Sequence, residues 1–170
     1  IAGLNIAYVP ENMGIFADLT VKENMLLAAR KASHAGQMDQ ARLEWIFKLF
    51  PAVEKFWNHP AGKLSGGQKQ MLAVSRAIVE PRELLIVDEP SKGLAPAIIN
   101  NMIDAFDQLK KSGVTILLVE QNIHFAKRLG DAGGRDGQRP CGALRSHGRP
   151  GRRRGAAAVL AGTRTLRRFI

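Results

Sequence analysis

Seven consecutive residues constrain the fold more than any others: Leu-Leu-Ile-Val-Asp-Glu-Pro at 84–90. Four apolar residues without alternation make a stable strand when both faces are covered, as in a parallel sheet lined by helices. The run has strand length, and Pro90 ends it. Asp88 and Glu89 then sit side by side at the C-terminal end of the strand, where open α/β sheets place their ligands. Val-Thr-Ile-Leu-Leu-Val at 114–119 reads as a second buried strand, and Ile-Ala-Tyr-Val at 6–9, stopped by Pro10, as a third.

Helical signals fill the intervals. Thr20 with Glu23 three residues on forms a capping box, opening a helix from Leu19 to about Ala35. Residues 39–50 carry Ala41, Leu43, Ile46, Phe47, Leu49 and Phe50 on one helical face, ended by Pro51. Further helices are expected at 65–80, 96–111 and 122–129. The order is strand, helices, strand, helix, strand, helix, which predicts an α/β parallel sheet with a helical insertion at about 15–80. With 45% hydrophobic residues in 170, the chain has material for one cored domain. No apolar run reaches the ~18 residues of a membrane span. A lone cysteine, Cys141, excludes an intramolecular disulfide and a cysteine-based zinc cluster.

Three polar clusters carry chemistry. Leu-Ser-Gly-Gly-Gln at 64–68 opens a helix, and Ser65, Gly66, Gly67 and Gln68 could present free N–H groups and a hydroxyl to a phosphate. An ordinary Ser-capped helix start explains the same residues equally well. Asp88 is suited to Mg²⁺ as a hard oxygen ligand, and Glu89 to polarising a water for attack on phosphate. Taken alone, this pair also reads as an acidic turn. Val-Glu-Gln-Asn at 119–122 is weak alone and reads as polar loop residues after a strand.

In this order and spacing the clusters strongly resemble the nucleotide-binding subunit of ABC transporters. Residues 64–68 look like the ABC signature, and Asp88 and Glu89 like the Walker B aspartate and the catalytic glutamate after it. Ile-Ala-Tyr-Val-Pro-Glu at 6–11, Leu-Thr-Val-Lys-Glu-Asn at 19–24, Gly-Leu-Ala-Pro at 93–96 and Leu-Val-Glu-Gln-Asn at 118–122 are similar to one branch, the LivF-type ATPases of branched-chain amino acid importers and their urea/amide relatives. The resemblance covers residues 1–130, as the C-terminal part of a P-loop NTPase domain. It implies ATP and Mg²⁺ as cofactors. Glu11 takes the place of the Q-loop residue, where it could ligate Mg²⁺ or sense it. Gln121 takes the place of the switch histidine, and an amide there cannot become a cation. Ala95 stands where most of the superfamily has Asp. The branch shows these departures, so none is read as lost activity. The resemblance also implies a head-to-tail dimer with a second ATPase subunit, paralogous or identical, in which Ser65, Gly66 and Gly67 complete a nucleotide site held mainly by the partner. It further implies membrane permease subunits, a cytoplasmic location on the inner face of the membrane through that permease, and no nucleic-acid partner.

Two features depart from the resemblance. The phosphate loop G-x-x-x-x-G-K-[ST] is absent from the 170 residues; the only Gly-Lys pair, Gly62-Lys63, lacks the upstream Gly and precedes Leu64. The expectation is a chain that begins in mid-domain, binds ATP poorly by itself and leaves a sheet edge open to aggregation. The second feature is the tail. Residues 1–130 hold 15 Lys+Arg against 13 Asp+Glu, net +2, while 131–170 hold 10 against 2, net +8, and all ten of those basic residues are Arg. Residues 131–170 are therefore expected to form an irregular Arg/Gly-rich tail. Its composition fits a GC-rich gene translated out of frame: synonymous codons for 132–162, shifted by one nucleotide, can spell the strand, Asn-Gly turn, strand and acidic helix of the family's C-terminal part.

A truncated, non-catalytic remnant is distinguished by ATP binding. A chromosome-maintenance ATPase would need a long coiled coil, whereas 52 residues without heptads separate Glu11 from Leu64. Nucleic-acid binding through the tail would show steep salt dependence, and only Phe169 there could stack on a base.

Overall fold

The computed structural model describes residues 5–29, 38–130 and, as backbone, 157–160. Strand β1 (Ile6–Val9) leads through a turn into helix α1 (Val21–Ala28). Helices α2 (Gln40–Leu49) and α3 (Pro51–Lys55), a 3₁₀ turn (Ala61–Lys63) and α4 (Gly66–Ile78) follow. Then come β2 (Leu84–Asp88), α5 (Pro96–Lys111), β3 (Thr115–Val119), α6 (Ile123–Leu129) and β4 (Ala157–Leu160). The four strands are parallel in the order β1-β2-β3-β4.

Register places Ala7, Leu85 and Ile116 side by side, and likewise Val9, Val87 and Leu118. These six side chains share one face and are all buried. The opposite face carries Tyr8, Ile86 and Leu117. There Tyr8 is 45% exposed, and Ile86 and Leu117 are half-buried. The expectation of strands covered on both faces thus holds for one face. On the other, the described helices leave the apolar side chains partly open.

The six residues of the buried face share one hydrophobic cluster with Met102, Ile103, Phe106 and Leu109 of α5 and Phe125 and Leu129 of α6. Phe106 and Phe125 meet edge to face, centroids 5.9 Å apart. The helical insertion has its own buried residues, among them Met25, Ile46, Phe50, Val53 and Leu72. Its entry is set by the Thr20 capping box, with the Glu23 N–H donating to Thr20 Oγ1 and the Thr20 N–H to Glu23 Oε2 at 2.7 Å.

Sequence and structure differ at three elements. Helix α1 ends with Ala29 as its C-cap, not near Ala35, and residues 30–37 lie outside those described. Pro51, expected only to end a helix, also starts α3, because proline fits the first helical position. No element was expected after residue 130, yet Ala157–Leu160 runs parallel to β3 and occupies its free edge. Ala-Ala-Val-Leu is apolar and of strand length; the Arg runs around it hide that signal. The other tail features, Cys141 included, lie outside the described residues.

Candidate functional site

The polar residues expected to act together converge at the C-terminal ends of β1, β2 and β3. Parallel register makes this unavoidable: Val9 pairs with Val87 and Asp88 with Val119, so Glu11, Glu89 and Gln121 emerge at one end of the sheet. Asp88 lies on the same face as Tyr8, whose hydroxyl donates to Asp88 Oδ2 at 3.4 Å. Burial first, then the neighbouring carboxylates Glu89 and Glu11, pushes the Asp88 carboxyl above its ordinary range. Burial and Asp88 likewise push the Tyr8 phenol up.

Glu89 is held at both carboxylate oxygens. The Gln121 amide donates to Oε1, and Lys92 Nζ lies 3.6 Å from Oε2. Lys92 also donates to Glu11 Oε1, so one cation spans two of the acidic residues. That bond raises the Lys92 ammonium above its usual range. Glu89 adopts φ of 46°, in the left-handed region. A side-chain-bearing residue there costs about 1–3 kcal/mol and persists where its surroundings over-determine it. The Glu89 N–H donates to Val119 O at 2.8 Å, which fixes the turn to the end of β3.

The 64–68 segment stands apart from this cluster. Ser65 caps α4: its N–H donates to Gln68 Oε1 at 2.9 Å, and the Gln68 N–H to Ser65 Oγ at 3.4 Å. The two glycines have different reasons to be there. A Cβ on Gly67 would lie 2.7 Å from Ile98 Cγ2 at the start of α5, so Gly67 is required by packing. A Cβ on Gly66 would meet nothing within 4 Å, which leaves the face of the helix start open to an approaching group. One contact ties α4 back to the turn after β1, with Arg76 Nη1 donating to Gly14 O at 2.5 Å and the guanidinium lying over Phe16.

The structure also brings Tyr8, Lys92 and Glu120 to the cluster, and no local motif in the sequence marks them. No group of three or more His, Cys, Asp or Glu among the described residues forms a dedicated metal cage. Asp88 and Glu11 are hard oxygen donors, the type Mg²⁺ takes through one or two carboxylates while sharing its shell with water and substrate phosphate. Asp88, already burdened by neighbouring negative charge, is the side chain a dication would relieve most. No described helix is long and apolar enough to cross a membrane.

Comparisons with known proteins converge on one family. The ABC transporter family profile matches residues 1–92. The high-affinity branched-chain amino acid transport ATP-binding protein BraG of Pseudomonas aeruginosa is 42% identical over 130 residues, 75% of this chain and 54% of that protein. The probable branched-chain amino acid transport ATP-binding protein LivF of Archaeoglobus fulgidus is 38% identical over 129 residues, again 75% and 54%. The chain therefore spans about half the length of the curated relatives it matches. Among solved structures, the dimeric bacterial ABC transporter cassette MJ0796 superposes with a TM-score of 0.62 at 26% identity, covering 72% of this chain and 55% of that one. The same cassette in a post-hydrolysis state bound to ADP and Pi superposes equally well.

Proposed function

The chain belongs to the ABC transporter family, and from that premise we propose that it is part of an ATP-hydrolysing subunit that energises uptake of a small polar solute, a branched-chain amino acid in the first instance. The observation that carries the reading is the convergence of Glu11, Asp88, Glu89 and Gln121 at the ends of three parallel strands. The two relatives named for branched-chain amino acid transport support the solute.

Within that reading each residue has a distinct task. Glu89 accepts a hydrogen bond from the water that attacks the γ-phosphate and takes its proton, as a general base. Its backbone lies in the left-handed region, and Gln121 fixes the carboxylate through Oε1. Asp88 and Glu11 would hold Mg²⁺, which supplies charge neutralisation at the phosphates when bound. Lys92 balances the charge that Glu11 adds beside Glu89. Ser65, Gly66, Gly67 and Gln68 would serve a nucleotide held by a second ATPase subunit in a head-to-tail pair, a reading supported by the dimeric cassette and by the open face at Gly66. Closure on ATP and opening after hydrolysis would bias permease subunits between two states. The subunit would then sit on the cytoplasmic face of the membrane through those partners.

The test is Glu89→Gln in the intact transporter. Phosphate release is expected to fall by about 10²–10⁴-fold while ATP binding persists, the loss characteristic of a removed general base. Unchanged phosphate release would overturn the assignment. Uptake of labelled leucine against labelled urea decides the solute.

A further inference from the structure

We propose that Glu120 is a positioning residue for the hydrolytic site, a buried hook that holds the turn carrying Glu89 against the end of β3. The inference rests on the ATPase reading above for its functional consequence, and on geometry alone for the hook.

Glu120 lies between Val119, the last residue of β3, and Gln121, which reaches Glu89. Gln121 points out and Glu120 points in, with 3% of its surface exposed. One oxygen, Oε1, accepts two hydrogen bonds: from the hydroxyl of Ser91, itself buried, and from the Asn122 N–H at 3.1 Å. Asn122 in turn caps α6, accepting from the Phe125 N–H at 3.1 Å. A single atom thus joins the turn after β2, the end of β3 and the start of α6.

A second tie runs parallel to the first. The Glu89 N–H donates to Val119 O at 2.8 Å. The two ties clamp the turn at Glu89 and again at Ser91. Between them Glu89 keeps its φ of 46°, a conformation that relaxes unless its flanks are fixed. The same segment of β3 therefore positions both halves of the Glu89–Gln121 contact.

The fold itself has little use for an acid at this place. The other oxygen of Glu120, Oε2, is buried with no hydrogen-bond partner among the described residues. An apolar side chain of similar shape would avoid the cost of desolvating a carboxylate. What the carboxylate supplies is direction: an acceptor at one point that fixes a hydroxyl and an N–H together.

The experiment compares Ser91→Ala, Glu120→Leu, the two combined, and Glu120→Gln in the intact transporter. Wild-type turnover is measured first, so failure of the ATPase reading shows itself before any variant is compared. Glu120→Leu and Ser91→Ala are each expected to lower kcat by about 10–100-fold with KM for ATP nearly unchanged, as misplacement by about 1 Å does. The double variant should lose no more than Glu120→Leu alone, because the two residues form one interaction. Glu120→Gln keeps an acceptor oxygen and should restore most of the loss. Amide exchange at Glu89 and Asn122 gives a readout independent of turnover: it should rise in Glu120→Leu and return towards wild type in Glu120→Gln. Wild-type kcat and exchange in Glu120→Leu and Ser91→Ala would overturn the proposal. Additive losses, or a Glu120→Gln variant as impaired as Glu120→Leu, would overturn it equally.

Discussion

Gly66 and Gly67 are adjacent and chemically identical, yet their surroundings give them opposite mutational signs. A methyl on Gly67 would press on the β-branched Ile98, whose Cγ2 cannot swing aside as the end of a long chain would. Gly67→Ala is therefore expected to destabilise the protein by about 1–3 kcal/mol in urea denaturation, the usual cost of overpacking. Gly66→Ala meets open space inside a helix and should be neutral or stabilise by up to about 1 kcal/mol. Equal effects at the two positions would contradict the packing described here. Glu120 provides a pH prediction. Burial raises its carboxyl above the ordinary value of 4.5, against the opposing pull of the Ser91 and Asn122 hydrogen bonds. The native state then holds the Glu120 proton more tightly than the unfolded state does. This contribution to stability is greatest below the ordinary glutamate range and is lost as pH rises through the raised folded value. Glu120→Gln should flatten that part of the stability–pH curve, read from thermal midpoints across the acid range. At this scale Asp88, Glu89 and Ser65 were legible in the sequence because each occupies a recognisable strand end or helix start. Tyr8, Lys92 and Glu120 were not, because their partners lie far away along the chain: 80 residues for Tyr8 and Asp88, 81 for Lys92 and Glu11, 29 for Glu120 and Ser91.

Elements were legible where their ends carry their own chemistry. The capping box of Thr20 with Glu23 formed as read, Ser65 caps α4 with Gln68 completing a second box, and Pro96–Lys111 matched its expected bounds. Capping operates within one turn, so local sequence suffices to see it. Helix α1 shows the limit. Its start is fastened by Asn24, fully buried, which accepts from the Phe16 N–H at 2.9 Å and donates to the carbonyls of Phe16 and Thr20 at 2.9 and 3.0 Å. Inside a helical pattern Asn24 reads as a solvated polar residue. Only the fold of residues 16–20 back over the helix makes it a clamp. Asn24→Ala would leave those backbone groups without their partner and should cost about 1–3 kcal/mol. Chemical denaturation measures it, and proteolysis within 16–20 should accelerate in step. A variant as stable as wild type would show that the clamp is dispensable.

Across the whole molecule the sheet sets the hierarchy of stability. Strand β2 is paired on both sides, and its Leu85 and Val87 are fully buried. Its amides should open only on global unfolding and exchange slowest, with those of α1 and α6 exchanging faster through local opening. Uniform protection across these elements would argue against the sheet as the last unit to open. By itself the sequence determined the class of fold, the order of its elements up to residue 130 and the position of the paired carboxylates at a strand end. These rest on apolar periodicity, caps and short motifs, which act between residues close in the chain. Only the tertiary structure decided the strand register that gathers Glu11, Asp88, Glu89 and Gln121, the pairing of Ala157–Leu160 with β3, the unequal cover of the two sheet faces, and the burial of Glu120 against Ser91. Each of those depends on groups that meet across the sheet, and a hydrogen bond or a packed face between distant segments leaves no periodic trace in either segment alone.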